Sequence, residues 1–460
     1  MTAETASKNN PSVTTALLAA ELEAGRSTAE GLAAHCLDRI ADPAGEGARA
    51  FLHVDRPKVL DLARMSDGLR GHGVVPGPLA GIPVSLKDLF DVGGEVTRAG
   101  STILAGAPPA GRDAPVVARL RAAGAVFVGR TNMTEFAFSG VGLNVHYGTP
   151  TSPWDRASKR IPGGSTSGGA VSVADGMATL AIGSDTGGSC RIPAALCGLT
   201  GYKPTAARIP LTGVFPLSRS LDSIGSMGHS VACVALADAI MAGEDYAAPK
   251  PGSIGGMRFA IPRSFVLDDM EETVASAFEA ALKRLRDGGA LVEEVAVEEI
   301  DAIPDIQKDG GIITTEALSV HRERLDAHGA EFDPRVRSRI EMALEISGAD
   351  YVIFDRKRAE LIARFSRRMA DYDAMILPTV PIIAPPISAF AAEEDYVRLN
   401  RLLLRNPTCF NQLDGCAISL PCHARDSAPV SLMLASSHGR DKRLLDVAAT
   451  VEAAIAPMRL

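Results

Sequence analysis

Apolar positions recur along this chain in two rhythms, and they alternate from one stretch to the next. Between 271 and 287, Val274, Phe278, Ala281, Leu282 and Leu285 fall on one face at helical spacing, which predicts an amphipathic helix. Directly after it, "ALVEEVAV" (290–297) changes to every-other-residue alternation, the pattern of a strand. "MRFAIP" (257–262) and "MATLAI" (177–182) are compact apolar runs of strand length, and "GPLAGIPVSLKDLF" (77–90) is a short apolar strand closed by a charged turn. Residues 114–132 predict a helix followed by the strand "AVFVGR". Residues 14–40 predict two short helices, with Ser27 or Thr28 capping the second. A largely helical stretch from 315 to 370 leads into "YDAMILPTVP" (372–381), a strand that stops at proline. Helices and strands alternating in this way predict an α/β fold. The segment 241–256 reads as a surface connection inside one domain, since no repeat or low-complexity linker divides the chain.

Composition narrows the class. The 460 residues are 46% hydrophobic and 22% charged, with 44 glycines and aromatics at only 5%, so close backbone packing and many short turns are expected. The net charge of −8, with no long basic run, argues against a nucleic-acid partner. Seven cysteines, an odd number with no Cys-x-x-Cys pair, predict reduced and mostly buried thiols. The opening "MTAETASKNNPSV" lacks a basic-then-apolar leader, and no apolar run approaches the roughly 18 residues of a membrane span. The expectation is a cytoplasmic protein without a membrane partner.

The chemistry is then sought among serines. The glycine loop "GGSTSGG" (163–169) is followed by no lysine, so it is not a Walker phosphate cradle. Neither Gly-x-Ser-x-Gly at the candidate serines nor His-Glu-x-x-His occurs, and no histidine lies near a promising serine. A serine enzyme built on this sequence needs another base. Lys87 ends a strand so apolar that its amine points inward, where burial lowers the pKa and favours the neutral form. Ser165 sits in the glycine loop, and Ser189 in "GSDTGGSCR", between the strand 177–182 and a segment whose Pro193 suits a first helical turn. The N–H groups of Thr186, Gly187, Gly188 and Ser189 would fan around one point there, as an oxyanion hole requires. Taken singly, each residue has a plainer reading: Lys87 a solvated strand end, Ser165 a loop residue, Ser189 a helix cap.

Taken together, "GIPVSLKD", "TNMTEFAFSG", "PGGSTSGGAVSVA", "IGSDTGGSCRIPAALCGLTGYKPT", "DAMILPTVP" and "NQLDGCAISLPC" resemble the amidase-signature family. The resemblance runs from about residue 14 almost to the end, with 24 residues separating Ser165 from Ser189, as in family members. It implies one large α/β/α sandwich around a mixed, mostly parallel sheet of about eleven strands. The single domain 1–460 would comprise N-terminal helices (about 14–70), a signature core (about 77–230) and a remainder completing sheet and pocket. It further implies Ser189 as acyl-enzyme nucleophile, Ser165 as relay after a cis Gly164–Ser165 bond, and Lys87 as terminal base. Asp185 and Arg191 would brace the nucleophile turn, Ser139 and Gly140 would border the substrate, and Cys190 would be a buried neutral thiol. No metal or organic cofactor is implied, and a homodimer is a frequent arrangement. The implied substrates are small acyl or aryl amides, with esters, ureas and carbamates (urethanes) cleaved by related enzymes. A glutamine-hydrolysing subunit of a tRNA-dependent amidotransferase shares the triad and is the alternative. The pocket is expected to be largely apolar, drawn from 139–145, the helices of 310–345 and the leucine-bearing 396–416. Thr166 stands where a second serine is common, and Cys416 where proline is.

Overall fold

The computed structural model describes residues 13–456. The polar opening stretch, expected to carry no leader, lies mostly outside them. Eleven strands form one sheet: β1 (Phe51–His53), β2 (Pro83–Lys87), β3 (Val126–Thr131), β4 (Leu180–Asp185), β5 (Thr200–Lys203), β6 (Ser223–Gly228), β7 (Arg258–Arg263), β8 (Leu291–Ala296), β9 (Ala374–Pro378), β10 (Cys416–Pro421) and β11 (Ser431–Ser436). Their spatial order is β1-β3-β2-β4-β6-β5-β10-β11-β9-β7-β8.

Strand alternation shows how the sheet acquires two covered faces. In β9, Ala374 and Ile376 join one apolar cluster while Met375 and Leu377 join another. β11 divides the same way, with Leu432 and Leu434 on one side and Met433 and Ala435 on the other. A period of two carries neighbouring side chains to opposite faces, so a strand with no polar alternation is buried on both. One face packs against the helices Glu272–Asp287 and Asp441–Ile455, the other against Gly348–Arg368 and Glu393–Gln412. The result is an α/β/α sandwich.

The sheet is mixed, but it departs from the expectation of mostly parallel pairing. Six of its ten strand contacts are antiparallel and four are parallel. The parallel pairs lie toward the two ends. The middle, from β4 to β9, is a continuous antiparallel run, because β10 and β11 form a hairpin and insert between β5 and β9.

Most predicted elements are present. The first helices are Thr15–Glu23 and Ala29–Ala41, with the Thr28 side chain accepting from Gly31 N. The helix Glu272–Asp287 buries the five apolar residues its spacing named. The 290–297 strand forms as β8, an exposed edge. β4 begins three residues later than predicted, which carries it to Asp185 and the turn that holds Ser189. All seven cysteines are buried.

Candidate active site

Lys87 is the last residue of β2, a strand whose five residues are all buried. Parallel neighbours β3 and β4 enclose it, so its ammonium has no access to water. Burial lowers its pKa to about 8, with the buried carboxylates of Asp185 and Asp222 among the groups opposing that shift. Lys87 Nζ donates to Ser165 Oγ at 2.7 Å and to Ser184 Oγ at 2.9 Å. Ser184, in β4, is a partner that the motifs did not point to.

Ser165 follows a cis peptide bond from Gly164 and is fully buried. The loop then enters the helix Ser167–Ala174, which packs so tightly that a Cβ at Gly168 would lie 2.2 Å from the Ala50 carbonyl oxygen. Thr166 N donates to the Ser189 carbonyl (3.3 Å), tying the glycine loop to the Ser189 turn. No hydrogen bond joins Ser165 Oγ to Ser189 Oγ in this structure. Catalytic contacts of this type often close only around bound substrate.

The Ser189 turn is organised by a carboxylate. Asp185 Oδ1 accepts from Gly188 N (2.8 Å), and Oδ2 accepts from Cys190 N (3.1 Å). Arg191 pairs with Asp185 at 2.8 Å, both side chains fully buried. Burial pushes the Asp185 carboxyl up, but the Arg191 guanidinium outweighs it and holds the group well below the usual carboxylate range. Gly188 has φ of 125°, and a Cβ there would meet Ile192 and Pro407 at 2.7 Å, so only glycine fits.

The oxyanion prediction therefore needs one correction: the Gly188 N–H is committed to Asp185. The N–H groups of Thr186, Gly187 and Ser189 have no acceptor among the described residues. Thr186 is further held by its hydroxyl, which donates to Asp222 (2.6 Å). Burial pushes the Cys190 thiol up to about 12, which leaves it neutral beside Ser189.

Ser189 opens into a cleft of about 1740 Å³. The helix Glu393–Gln412 forms one wall and also acts as a scaffold for the site, a role its sequence did not announce. Its Asn400 Oδ1 accepts from Gly140 N (3.0 Å) and Ser139 Oγ (3.2 Å), while Tyr396 donates to Ser139 Oγ (3.0 Å). Thr408 donates to the Gly187 carbonyl (3.0 Å), and Asn411 donates to Asp185 and accepts from Arg191. Of the two residues expected to border substrate, Ser139 lines the cleft, whereas Gly140 is buried behind it.

The expectation of a largely apolar pocket fits the exposed lining, most of which is carbon, but charged groups of both signs stand in it as well. Leu399 and Leu403 turn into the core, while Leu402 and Leu404 reach the cleft. Five arginines, at 335, 339, 398, 401 and 405, and six acids, at 268, 269, 271, 309, 393 and 394, line the same space. Helical spacing sets Val397, Arg401, Leu404 and Thr408 on one face, so the leucine-rich stretch presents charge as well as carbon.

No cluster of three or more metal-ligating side chains occurs among the described residues, and no described helix is long and apolar enough to cross a membrane.

Residues 32–445 match the family model described as Amidase. The chain is 36% identical over 414 residues to 2-amino-5-chloromuconic acid deaminase of Comamonas testosteroni, covering 88% of each. It is 34% identical over 448 residues to a subunit of the Glutamyl-tRNA(Gln) amidotransferase of Chloroflexus aggregans, covering 90% of each. Among solved structures it resembles a crystal structure of an amidase, with TM-score 0.85 at 30% identity over 96% of this chain and 100% of that one. It also resembles the peptide amidase of Stenotrophomonas maltophilia, with TM-score 0.81 at 27% identity over 97% and 98%. With its strand-end lysine, glycine-loop serine and braced serine turn in one fold, the chain belongs to the amidase family, whose members are hydrolases acting on C–N bonds.

Proposed function

We propose that this protein hydrolyses carboxylic amides of small molecules through an acyl-enzyme on Ser189. The observation that carries the reading is Lys87, wholly buried, with its pKa brought down to about 8 and its amine 2.7 Å from Ser165 Oγ. Neutral Lys87 takes a proton from Ser165 Oγ as Ser165 takes one from Ser189 Oγ, which attacks the carbonyl carbon. The N–H groups of Gly187 and Ser189, with that of Thr186, are the free donors on the turn for the developing oxyanion. The C–N bond breaks as the relay returns a proton to the leaving nitrogen. Water then attacks the Ser189 ester, releases the acid and restores the serine. Esters, ureas and carbamates fit the same sequence of steps, and no step calls for a metal or organic cofactor.

The test is a screen of aryl amides, alkyl amides, esters and carbamates against the purified chain. Ser189→Ala is expected to abolish turnover, and Lys87→Ala to lower it by about 10²–10⁴-fold, the range for a lost general base. A fully active Ser189→Ala protein would end the reading.

Similarity to the Glutamyl-tRNA(Gln) amidotransferase chains favours a second reading, a glutamine hydrolase that hands ammonia to a partner. Leu404, packed within 3.5 Å of the Cβ position of Gly187, places carbon rather than an ammonium-binding carboxylate beside the nucleophile turn. Assaying the chain alone on glutamine and on an anilide separates the two. Glutaminase activity that emerges only with added partner proteins would favour the second.

A further inference from the structure

Donors that stabilise an oxyanion must be in aim before the reaction, and the Ser189 turn holds its peptide planes unequally. The plane carrying the Thr186 N–H is fixed at its carbonyl, where Asp185 O accepts from Ser223 Oγ (2.8 Å) and Asn411 Nδ2 (3.0 Å). The plane carrying the Gly188 N–H is fixed at both ends, by Thr408 at the Gly187 carbonyl (3.0 Å) and by Asp185 at the N–H (2.8 Å). The plane carrying the Ser189 N–H is fixed where the Gly188 carbonyl accepts from Ile192 N (2.7 Å). The plane between Thr186 and Gly187 differs. Neither its carbonyl nor its N–H has a hydrogen-bond partner among the described residues. Its orientation turns on ψ of Thr186 and φ of Gly187, and glycine leaves the second of these loose.

What restrains that plane is the side chain at its start. Thr186 Oγ1 donates to Asp222 Oδ1 at 2.6 Å, within the charge-assisted range, and both side chains are buried. Burial pushes the Asp222 carboxyl up to about 6, against the pull of its hydrogen bonds, so at neutral pH it is predominantly ionised and can only accept. Asp222 is itself fixed. Its Oδ2 accepts from Leu217 N (3.0 Å) and Ser218 N (3.2 Å), and its own N–H donates to the Ser218 carbonyl (2.8 Å). Glu316, on the helix Gly311–His328, closes the other side of this turn, accepting from Ser218 Oγ (2.6 Å) and Ser220 N (2.9 Å). Unlike Asp185, Asp222 has no cation hydrogen-bonded to it among the described residues, so the Thr186 hydroxyl has Oδ1 to itself.

We propose that Asp222 is a positioning residue for the oxyanion hole, and that through the Thr186 hydroxyl it keeps the Gly187 N–H aimed at the substrate oxygen. The proposal rests on the acyl-enzyme reading above and deepens it. Asp222 touches no reacting atom, so its effect passes through Thr186 and falls on the transition state rather than on substrate binding. The same carboxylate also holds the backbone of Leu217, which lines the cleft. Thr186 therefore carries the decisive test.

Thr186→Val keeps the shape of the side chain and removes the hydroxyl. On an amide that wild type hydrolyses, it is expected to lower kcat by about 10–100-fold with KM changed less than about twofold, the signature of an interaction made only in the transition state. Thr186→Ser keeps the hydroxyl and should recover most of the rate. Asp222→Asn should show the same kcat loss, and combining it with Thr186→Val should add little, since the two act through one contact. A trifluoromethyl ketone analogue, whose Ser189 adduct carries an oxyanion, and the matching carbinol, which forms none, give a readout apart from turnover. In Thr186→Val the Ki of the ketone should rise in step with the lost kcat/KM while that of the carbinol stays put. A merely structural role would move both alike. If Thr186→Val folds poorly, Thr186→Ala must show the same split between ketone and carbinol. Unchanged kcat in Thr186→Val, equal weakening of ketone and carbinol, or full additivity in the double variant overturns the proposal. Wild-type protein without Ser189-dependent turnover or ketone inhibition defeats the catalytic reading, whereas full turnover with an indifferent Thr186→Val defeats only the positioning role.

Discussion

At the scale of single residues, the proposed mechanism makes the protonation state of Lys87 set the rate. With the Lys87 pKa near 8, the neutral amine grows as pH rises from 6 to 9, so kcat/KM should climb and level off just above pH 8. Ser184 adds a finer test. Its hydroxyl accepts a hydrogen bond from Lys87, and an acceptor stabilises the charged amine. Ser184→Ala should therefore move the inflection to lower pH while reducing kcat at the plateau, because the amine is less well aimed. A purely structural role would lower stability and leave the inflection in place. The three proposed triad residues were legible because their short motifs occur together: an apolar strand end made Lys87 a candidate, and the family resemblance singled it out. Ser184 lies within one of those motifs too, yet only the register of β2 against β4 brings it to the lysine. Asn400 and Asn411 were illegible for a different reason: each meets its partners across more than 200 residues of chain.

At the scale of elements, the braces around the turn are worth more to stability than any surface pair. Arg191 and Asp185 are both fully buried, and deleting one leaves the other as an uncompensated charge. Arg191→Met should cost about 3–5 kcal/mol in denaturant unfolding at neutral pH, the range for breaking a buried pair from one side. A different element is held by aromatic packing. His321, on the helix Gly311–His328, lies against Phe136 (4.3 Å between centroids), Phe215 and Phe332, and neither ring nitrogen has a partner among the described residues. Burial lowers its pKa to about 3. The unfolded chain binds a proton near pH 6.5 that the folded chain refuses, so this residue withdraws stability as pH falls from 6.5 toward 3. His321→Leu should remove that slope, and the stability of the variant relative to wild type should improve steadily between pH 7 and 4. A pH-independent difference would show that His321 stays neutral in both states or is charged when folded. Periodicity revealed this helix as part of a long helical stretch, but it gave no sign of the aromatic residues around its histidine, which come from three other segments.

At the scale of the molecule, the local rhythm predicted an α/β fold and the family resemblance implied the sandwich, but the expectation of mostly parallel strands misjudged their direction. A helix between two strands suggests a parallel crossover, yet β10 and β11 enter the sheet as a hairpin from the C-terminal part of the chain. That insertion binds the halves together. Arg191, two residues after Ser189, reaches the Pro407 carbonyl (2.9 Å) and Asn411 Oδ1 (2.7 Å), and Tyr202 in β5 donates to Asp441 (2.8 Å). We propose on this ground that the chain is one domain that unfolds as a unit, although a length of 460 residues would allow separate parts. The loss of helical circular dichroism on heating should then coincide with the loss of Ser189 labelling by a fluorophosphonate, sampled at each temperature. If labelling disappears in an earlier, separate transition, the C-terminal hairpin and the 393–412 helix detach on their own, and the site is held by a weaker joint than Arg191 and β10 imply.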